Sequence, residues 1–140
     1  MRVAIGSDHG GINLKKRVVR LLEHEQIPVL DLGCHSDESV DYPVYARAVC
    51  SAILNGEAEC GILICGTGIG MSMAANRFKG IRAALCHEQF TARMSREHND
   101  ANVLCIGARV VGSGLAMEVV RTWLSTSFGG GRHLRRIEMF

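Results

Sequence analysis

The sequence predicts one α/β domain, residues 1–140, in which a five-stranded parallel sheet lies between two helical layers. Three observations carry this. Short apolar runs alternate along the chain with stretches of helical periodicity. Each run ends in glycine or polar loop residues. Five such units fill the 140 residues and leave no room for a second domain.

The first strand spans residues 2–6 and ends in Gly6-Ser7-Asp8-His9-Gly10-Gly11. Ile12, Leu14, Val18, Leu21 and Leu22 then recur at helical spacing. Pro28 breaks the chain before a second strand, residues 29–32, and residues 33–41 form a polar loop. Pro43 suits the first turn of the next helix. There Val44, Tyr45, Ala48, Val49, Ala52 and Ile53 recur as i, i+1, i+4 pairs until Asn55-Gly56 stops them. The third strand, residues 61–65, runs into Gly66-Thr67-Gly68-Ile69-Gly70 and a small-residue helix through Ala74, Ala75 and Asn76. Residues 81–86 read as the fourth strand, 88–96 as a helix and 102–106 as the fifth strand. A last long helix starts near Ser113 and carries Leu115, Val119, Trp123 and Leu124. Gly129-Gly130-Gly131 is a flexible joint before a basic tail, residues 132–140. This alternation gives a doubly wound, Rossmann-like three-layer sandwich.

Composition narrows the function classes. Hydrophobic residues make up 47% and charged residues 21%, which is globular. A net charge of +2 with one Trp, two Tyr and four Phe excludes a strongly basic, base-stacking nucleic-acid binder. No apolar run approaches a membrane span, and the N-terminus turns polar at Ser7-Asp8, too early for a signal-peptide core. Six cysteines without a CxxC pair sit mostly in apolar segments. They read as buried, reduced thiols of a cytoplasmic protein. Asp8-His9 could begin a metal pair, but no H-x-x-x-H or carboxylate cluster supplies the other ligands. No metal or cofactor is expected.

In an open parallel sheet, ligands bind beyond the carboxyl ends of the strands, where strand order reverses. The loops after strands one, three and five hold Asp8 and His9; Cys65, Gly66, Thr67, Gly68 and Gly70; and Arg109. His98-Asn99-Asp100, before strand five, is a further polar cluster. Glycines between a buried strand and a helix let backbone N–H groups approach an anion. The spacing is G-x-G-x-G, with Met71 next, and not the G-x-G-x-x-G of dinucleotide sites, although Glu88 lies near the ribose-acid distance. A thiol at the start of a helix is readily ionised, so Cys65 reads as either a base or one more buried thiol. His24, His35 and His87 carry no signal, whereas polar neighbours and glycines surround His9 and His98. Arg132, Arg135 and Arg136 read as a solvated helix face or as a phosphate clamp.

The stretches Gly6–Gly11, Asp41-Tyr42-Pro43, Cys65-Gly66-Thr67-Gly68-Ile69-Gly70-Met71-Ser72 and Ala74-Ala75-Asn76 are specific. So are Gly80-Ile81-Arg82-Ala83-Ala84, Ser95-Arg96-Glu97-His98-Asn99-Asp100-Ala101-Asn102 and Gly130-Gly131-Arg132-His133. In this order, nearly end to end, the chain resembles the ribose-5-phosphate isomerase B family, which includes allose-6-phosphate and galactose-6-phosphate isomerases. The resemblance implies an aldose–ketose isomerase working through an enediolate. Cys65 would move the proton, and Thr67 with the loop Gly66, Gly68, Ile69 and Gly70 would hold the oxyanion. Asp8 and His98 would open the sugar ring, and Asn99 would bind substrate. His9, Arg109, Arg132 and Arg136 would grip the phosphate. It also implies a homodimer, or a tetramer of such dimers, with arm 129–140 packing on the partner. Its sites would be shared, with Cys65 from one chain and His98 and Arg109 from the other. Met71 stands where another branch of the family has a glutamate, which places this chain in the cysteine branch. Gly10 and Val44 depart from the family's usual alanine and acid. Two alternatives stay open: a hexose-phosphate isomerase, and a non-catalytic sugar-phosphate- or nucleotide-sensing module.

Overall fold

The computed structural model describes residues 1–140. In chain order the elements are β1 (Val3–Ser7), α1 (Ile12–His24), β2 (Val29–Asp31), α2 (Tyr42–Leu54), β3 (Cys60–Cys65) and α3 (Ile69–Ala75). Then follow β4 (Ala83–Leu85), α4 (Gln89–Glu97), β5 (Val103–Gly107), α5 (Ser113–Ser125) and α6 (Arg132–Ile137). All five strands are parallel, in the order β2-β1-β3-β5-β4. The chain leaves β1 to one side for β2 and returns on the other side for β3. Strand order therefore reverses between β1 and β3, the expected place for a ligand.

Strand alternation divides the core in two. Val3, Ile5, Ile62, Ile64, Leu104 and Ile106 face α1, α4 and α5, where Trp123 is fully buried. Ala4, Leu63, Cys65, Val103 and Cys105 face α2 and α3. The three central strands are buried throughout, as a sheet covered on both faces requires.

The fourth strand is shorter than the predicted 81–86 for a specific reason. The Asn102 amide takes over the pairing before it, accepting from the Arg82 N–H at 2.8 Å and donating to the Gly80 carbonyl at 2.8 Å. Asn76 then closes the outer edge of β4, accepting from the Ala83 N–H at 2.8 Å and donating to its carbonyl at 2.9 Å. No further strand can pair there at Ala83.

One buried charge was not visible in the helical periodicity. Lys15 of α1 is 1% exposed, and its Nζ lies 2.6 and 2.7 Å from the two carboxylate oxygens of Asp31. The Gly33 N–H donates to the same carboxylate at 3.0 Å. The ion pair ties α1 to the end of β2 behind the site. No helix is long and apolar enough to cross a membrane.

Candidate active site

Register brings three strand ends together. Ser7 pairs with Ile64, and Cys65 pairs with Gly107. The loops that follow are laced by backbone bonds: Asp8 N–H to Ile64, Ala108 N–H to Cys65 and Arg109 N–H to Gly66. Gly11 makes the close approach possible, since a Cβ there would fall 2.6 Å from the Ile64 carbonyl oxygen.

The predicted residues of these loops converge around Gly10. A Cβ on Gly10 would lie 3.3 Å from an Asp8 carboxylate oxygen, 3.4 Å from the Gly66 nitrogen and 3.6 Å from the Arg109 Nη2. The Asp8 carboxylate is buried and accepts from the Gly11 N–H at 3.2 Å. His9 Nδ1 accepts from the Val40 N–H at 3.2 Å, so the proton of the neutral ring sits on Nε2, free to be donated to a ligand.

Cys65 closes this cluster. Gly68, in the left-handed region at φ +76°, turns its N–H onto the Cys65 Sγ at 3.1 Å. A donor aimed at sulfur is a partner for a thiolate. The Ile69 N–H is taken by Thr67 Oγ1 at 3.3 Å. The Gly66, Thr67 and Gly70 N–H groups have no acceptor and remain open to an anion. All six cysteines are free and buried. Burial pushes Cys50 and Cys60 up to about 11, raises Cys86, and raises Cys105 well beyond an ordinary thiol.

A second polar cluster lies at the other end of the sheet. His98 is the C-cap of α4, and with Asn99 and Asp100 it precedes β5. Five residues of β5, at about 3.3 Å each, separate its two ends by roughly 13 Å or more. Asp100, in the left-handed region at φ +45°, is held by Arg82, whose Nη2 lies 2.9 Å from a carboxylate oxygen. The same guanidinium donates to the Asn99 and Asp100 carbonyls at 3.1 and 2.9 Å. The tail folds back here. Gly129 N–H donates to the Glu97 carbonyl at 2.8 Å, and the His133 ring stacks on His98. Burial first, then the neighbouring His98, Arg132 and Arg136, hold the affinity of His133 for a proton below its ordinary value.

Within one chain the expected site residues therefore fall into two separate clusters. Asp8, His9, Cys65, the glycine loop and Arg109 form one; His98, Asn99, Arg132 and Arg136 form the other. Within the chain Arg109 thus lies beside Gly10 and Gly66, in the Cys65 cluster, whereas the resemblance grouped it with His98. Arg109 follows β5 and His98 precedes it, so one strand cannot bring both to the same end. Glu88, at the ribose-acid spacing, caps α4 instead, accepting from the Phe90 and Thr91 N–H groups at 2.6 and 2.7 Å.

Two site neighbours gave no sequence signal of their own. The Tyr42 ring covers Gly70, where a Cβ would fall 2.6 Å from its Cζ. His87 Nε2 accepts from the Gly107 N–H at 3.0 Å and pins the end of β5 beneath the glycine loop. Asp41-Tyr42-Pro43 marked the segment holding Tyr42; nothing marked His87. Nowhere do three His, Cys, Asp or Glu side chains gather as a metal site would need.

Comparison with known proteins identifies the family and the fold. The family model for ribose/galactose isomerases matches residues 3–140. The chain is 50% identical to ribose-5-phosphate isomerase B of Escherichia coli (strain K12) over 137 residues, covering 98% of this chain and 92% of the relative. It superposes on ribose-5-phosphate isomerase B of Clostridium thermocellum with a TM-score of 0.98 at 52% identity, over 99% of this chain and 94% of that one. The Mycoplasma genitalium enzyme, solved with bound ribulose-5-phosphate, superposes with a TM-score of 0.94 at 43% identity, over 99% and 92% of the two chains. This chain belongs to the ribose/galactose isomerase family.

Proposed function

We propose that this protein interconverts ribose 5-phosphate and ribulose 5-phosphate, with Cys65 as the base. The carrying observation is the Cys65 sulfur, held by the Gly68 N–H at the strand-order reversal beside Asp8 and Arg109. The thiolate removes the proton from C2 of the open-chain aldose. Charge moves onto O1, where the Thr67 hydroxyl and the open N–H groups of Gly66, Thr67 and Gly70 receive it. The hydroxyl proton passes from O2 to O1, and the Cys65 thiol returns its proton to C1. This completes the ketose and restores the thiolate. His98 and Asp8 serve ring opening, and Asn99 orients the substrate hydroxyls. His9, Arg109, Arg132 and Arg136 hold the phosphate, so that binding energy far from C1 and C2 keeps them in place.

If the two clusters form one site, they meet only when two chains combine, so we infer that the working unit is a homodimer. Two features support this. No residue of α6 is buried, and a six-residue helix without a packed face is not stable in water. Beyond it, Met139 and Phe140 are 81% and 82% exposed. Ile69, Met73, Val44 and Phe90 are further exposed apolar groups. Arm 129–140 of each chain thus carries Arg132 and Arg136 to the partner's Cys65. Six free thiols suit the reducing cytoplasm.

The test is a substrate panel with Cys65→Ser. Wild-type protein should isomerise ribose 5-phosphate faster than allose 6-phosphate or galactose 6-phosphate. The serine variant should lose kcat by on the order of 10³-fold with little change in KM, since a hydroxyl keeps the shape but not the base. Preference for a hexose phosphate would reassign the substrate. Near-normal kcat in the variant would remove Cys65 as the base.

A further inference from the structure

His98 is the least anchored of the reactive groups. It sits on the C-cap of α4 with its side chain 39% exposed, and neither ring nitrogen is hydrogen-bonded in the chain. The nearest acceptor, a Glu97 carboxylate oxygen, is 3.9 Å from Nε2, too far to fix the ring. A free imidazole there samples several rotamers. What holds it is His133, whose ring centroid lies 4.1 Å away at an interplanar angle of 12°. His133 stands in the first turn of α6 between Arg132 and the rest of the basic helix. The joint before it is pinned to α4 by the Gly129–Glu97 bond. The ring that orients His98 thus belongs to the same short helix as the arginines assigned to phosphate.

We propose that His133 is a positioning residue: its stacked ring holds His98 for proton transfer at the sugar ring oxygen and ties that orientation to the phosphate grip of Arg132 and Arg136. The proposal rests on the reading of His98 given above. A phosphate drawn onto α6 steadies His133, and through it His98, so an unphosphorylated sugar meets a poorly set acid. Protonation opposes the arrangement. Burial, the facing His98, and Arg132 and Arg136 all disfavour a charge on His133, with Glu97 alone opposing them. The stack on a neutral His133 therefore persists below that group's ordinary value of 6.5 and is lost only as pH falls through its lowered value in the folded chain.

The experiment measures kcat, KM and thermal stability for His133→Ala, His133→Phe, His98→Ala and the double variant His98→Ala/His133→Ala, with ribose 5-phosphate across the acid range. His133→Ala should lower kcat by on the order of tenfold with a smaller change in KM, since the ring it frees is misplaced but not removed. His133→Phe keeps a flat ring and should restore kcat above pH 6.5, with an acid limb shifted to lower pH. In the His98→Ala background, removing His133 should cost nothing further. Wild-type kcat in His133→Ala beside a slow His98→Ala would overturn this proposal alone. An equal loss in the His98→Ala background, or no rescue by phenylalanine in a folded variant, would overturn it too. Wild-type kcat in His98→Ala would remove the reading of His98 itself, and the proposal with it.

Discussion

Gly68→Ala separates backbone strain from damage to the catalytic loop. Gly68 has φ +76°, and a Cβ there would fall 2.6 Å from Leu85 Cδ1, 2.9 Å from the Ile106 carbonyl carbon and 3.1 Å from the Gly107 nitrogen. The leucine end can rotate away, but the backbone of β5, buried on both faces, cannot. Gly56 provides the control, because its φ is also +76° and nothing lies within 4 Å of its Cβ position. Gly56→Ala should therefore cost only left-handed strain, about 1–2 kcal/mol, and leave kcat unchanged. Gly68→Ala should add about 1–3 kcal/mol of overpacking. The loop must also shift, and its N–H would no longer point at the Cys65 sulfur. A displacement near 1 Å at the reacting group costs on the order of 10²-fold in rate. Thermal unfolding gives the stabilities, and steady-state kinetics well below the melting transition gives the rates. Gly68→Ala with wild-type kcat/KM, or with no greater instability than Gly56→Ala, would refute the reasoning.

Two further outcomes follow from single contacts. Asp31→Ala leaves the Lys15 ammonium buried without its partner. Because the Asp31 side chain is 31% exposed, water recovers part of the loss. Chemical denaturation should show about 2 kcal/mol of destabilisation, below the ~3–5 kcal/mol of a fully enclosed pair, and the double change Lys15→Met/Asp31→Leu should recover most of it. Arg136→Ala should raise KM for ribose 5-phosphate by roughly 10- to 150-fold, the equivalent of about 1.5–3 kcal/mol for a charge-assisted phosphate contact. Any turnover of free ribose should be unaffected, which a direct comparison of the two sugars would check.

The sequence made much of the fold legible because its strands alternate between two apolar faces and end in glycine. Asp8, Cys65 and Arg109 could be placed together because ligands gather at the carboxyl ends of parallel strands. That His98 lies at the opposite end was also readable, since it precedes a strand instead of following one. The insertion of β5 between β3 and β4 was not, because strand order depends on packing between distant segments. Lys15 was hidden by its charge, although it stands three residues from both Ile12 and Val18 on the apolar stripe of α1. The Tyr42–Gly70 contact, the His87–Gly107 bond and the His98–His133 stack each join residues far apart in the chain. Neither local periodicity nor loop composition encodes such meetings.

The shared site is the central claim, and mixing two inactive variants tests it most directly. Cys65→Ala and His98→Ala remove side chains from different clusters, so if sites are shared every homodimer of either variant has one lesion in each site. Under conditions that allow subunit exchange, equal amounts give about one half heterodimers, each with one intact and one doubly damaged site. Ribose 5-phosphate isomerisation should then recover to roughly a quarter of the wild-type level. No recovery after exchange has been demonstrated with differently tagged chains would contradict the shared site.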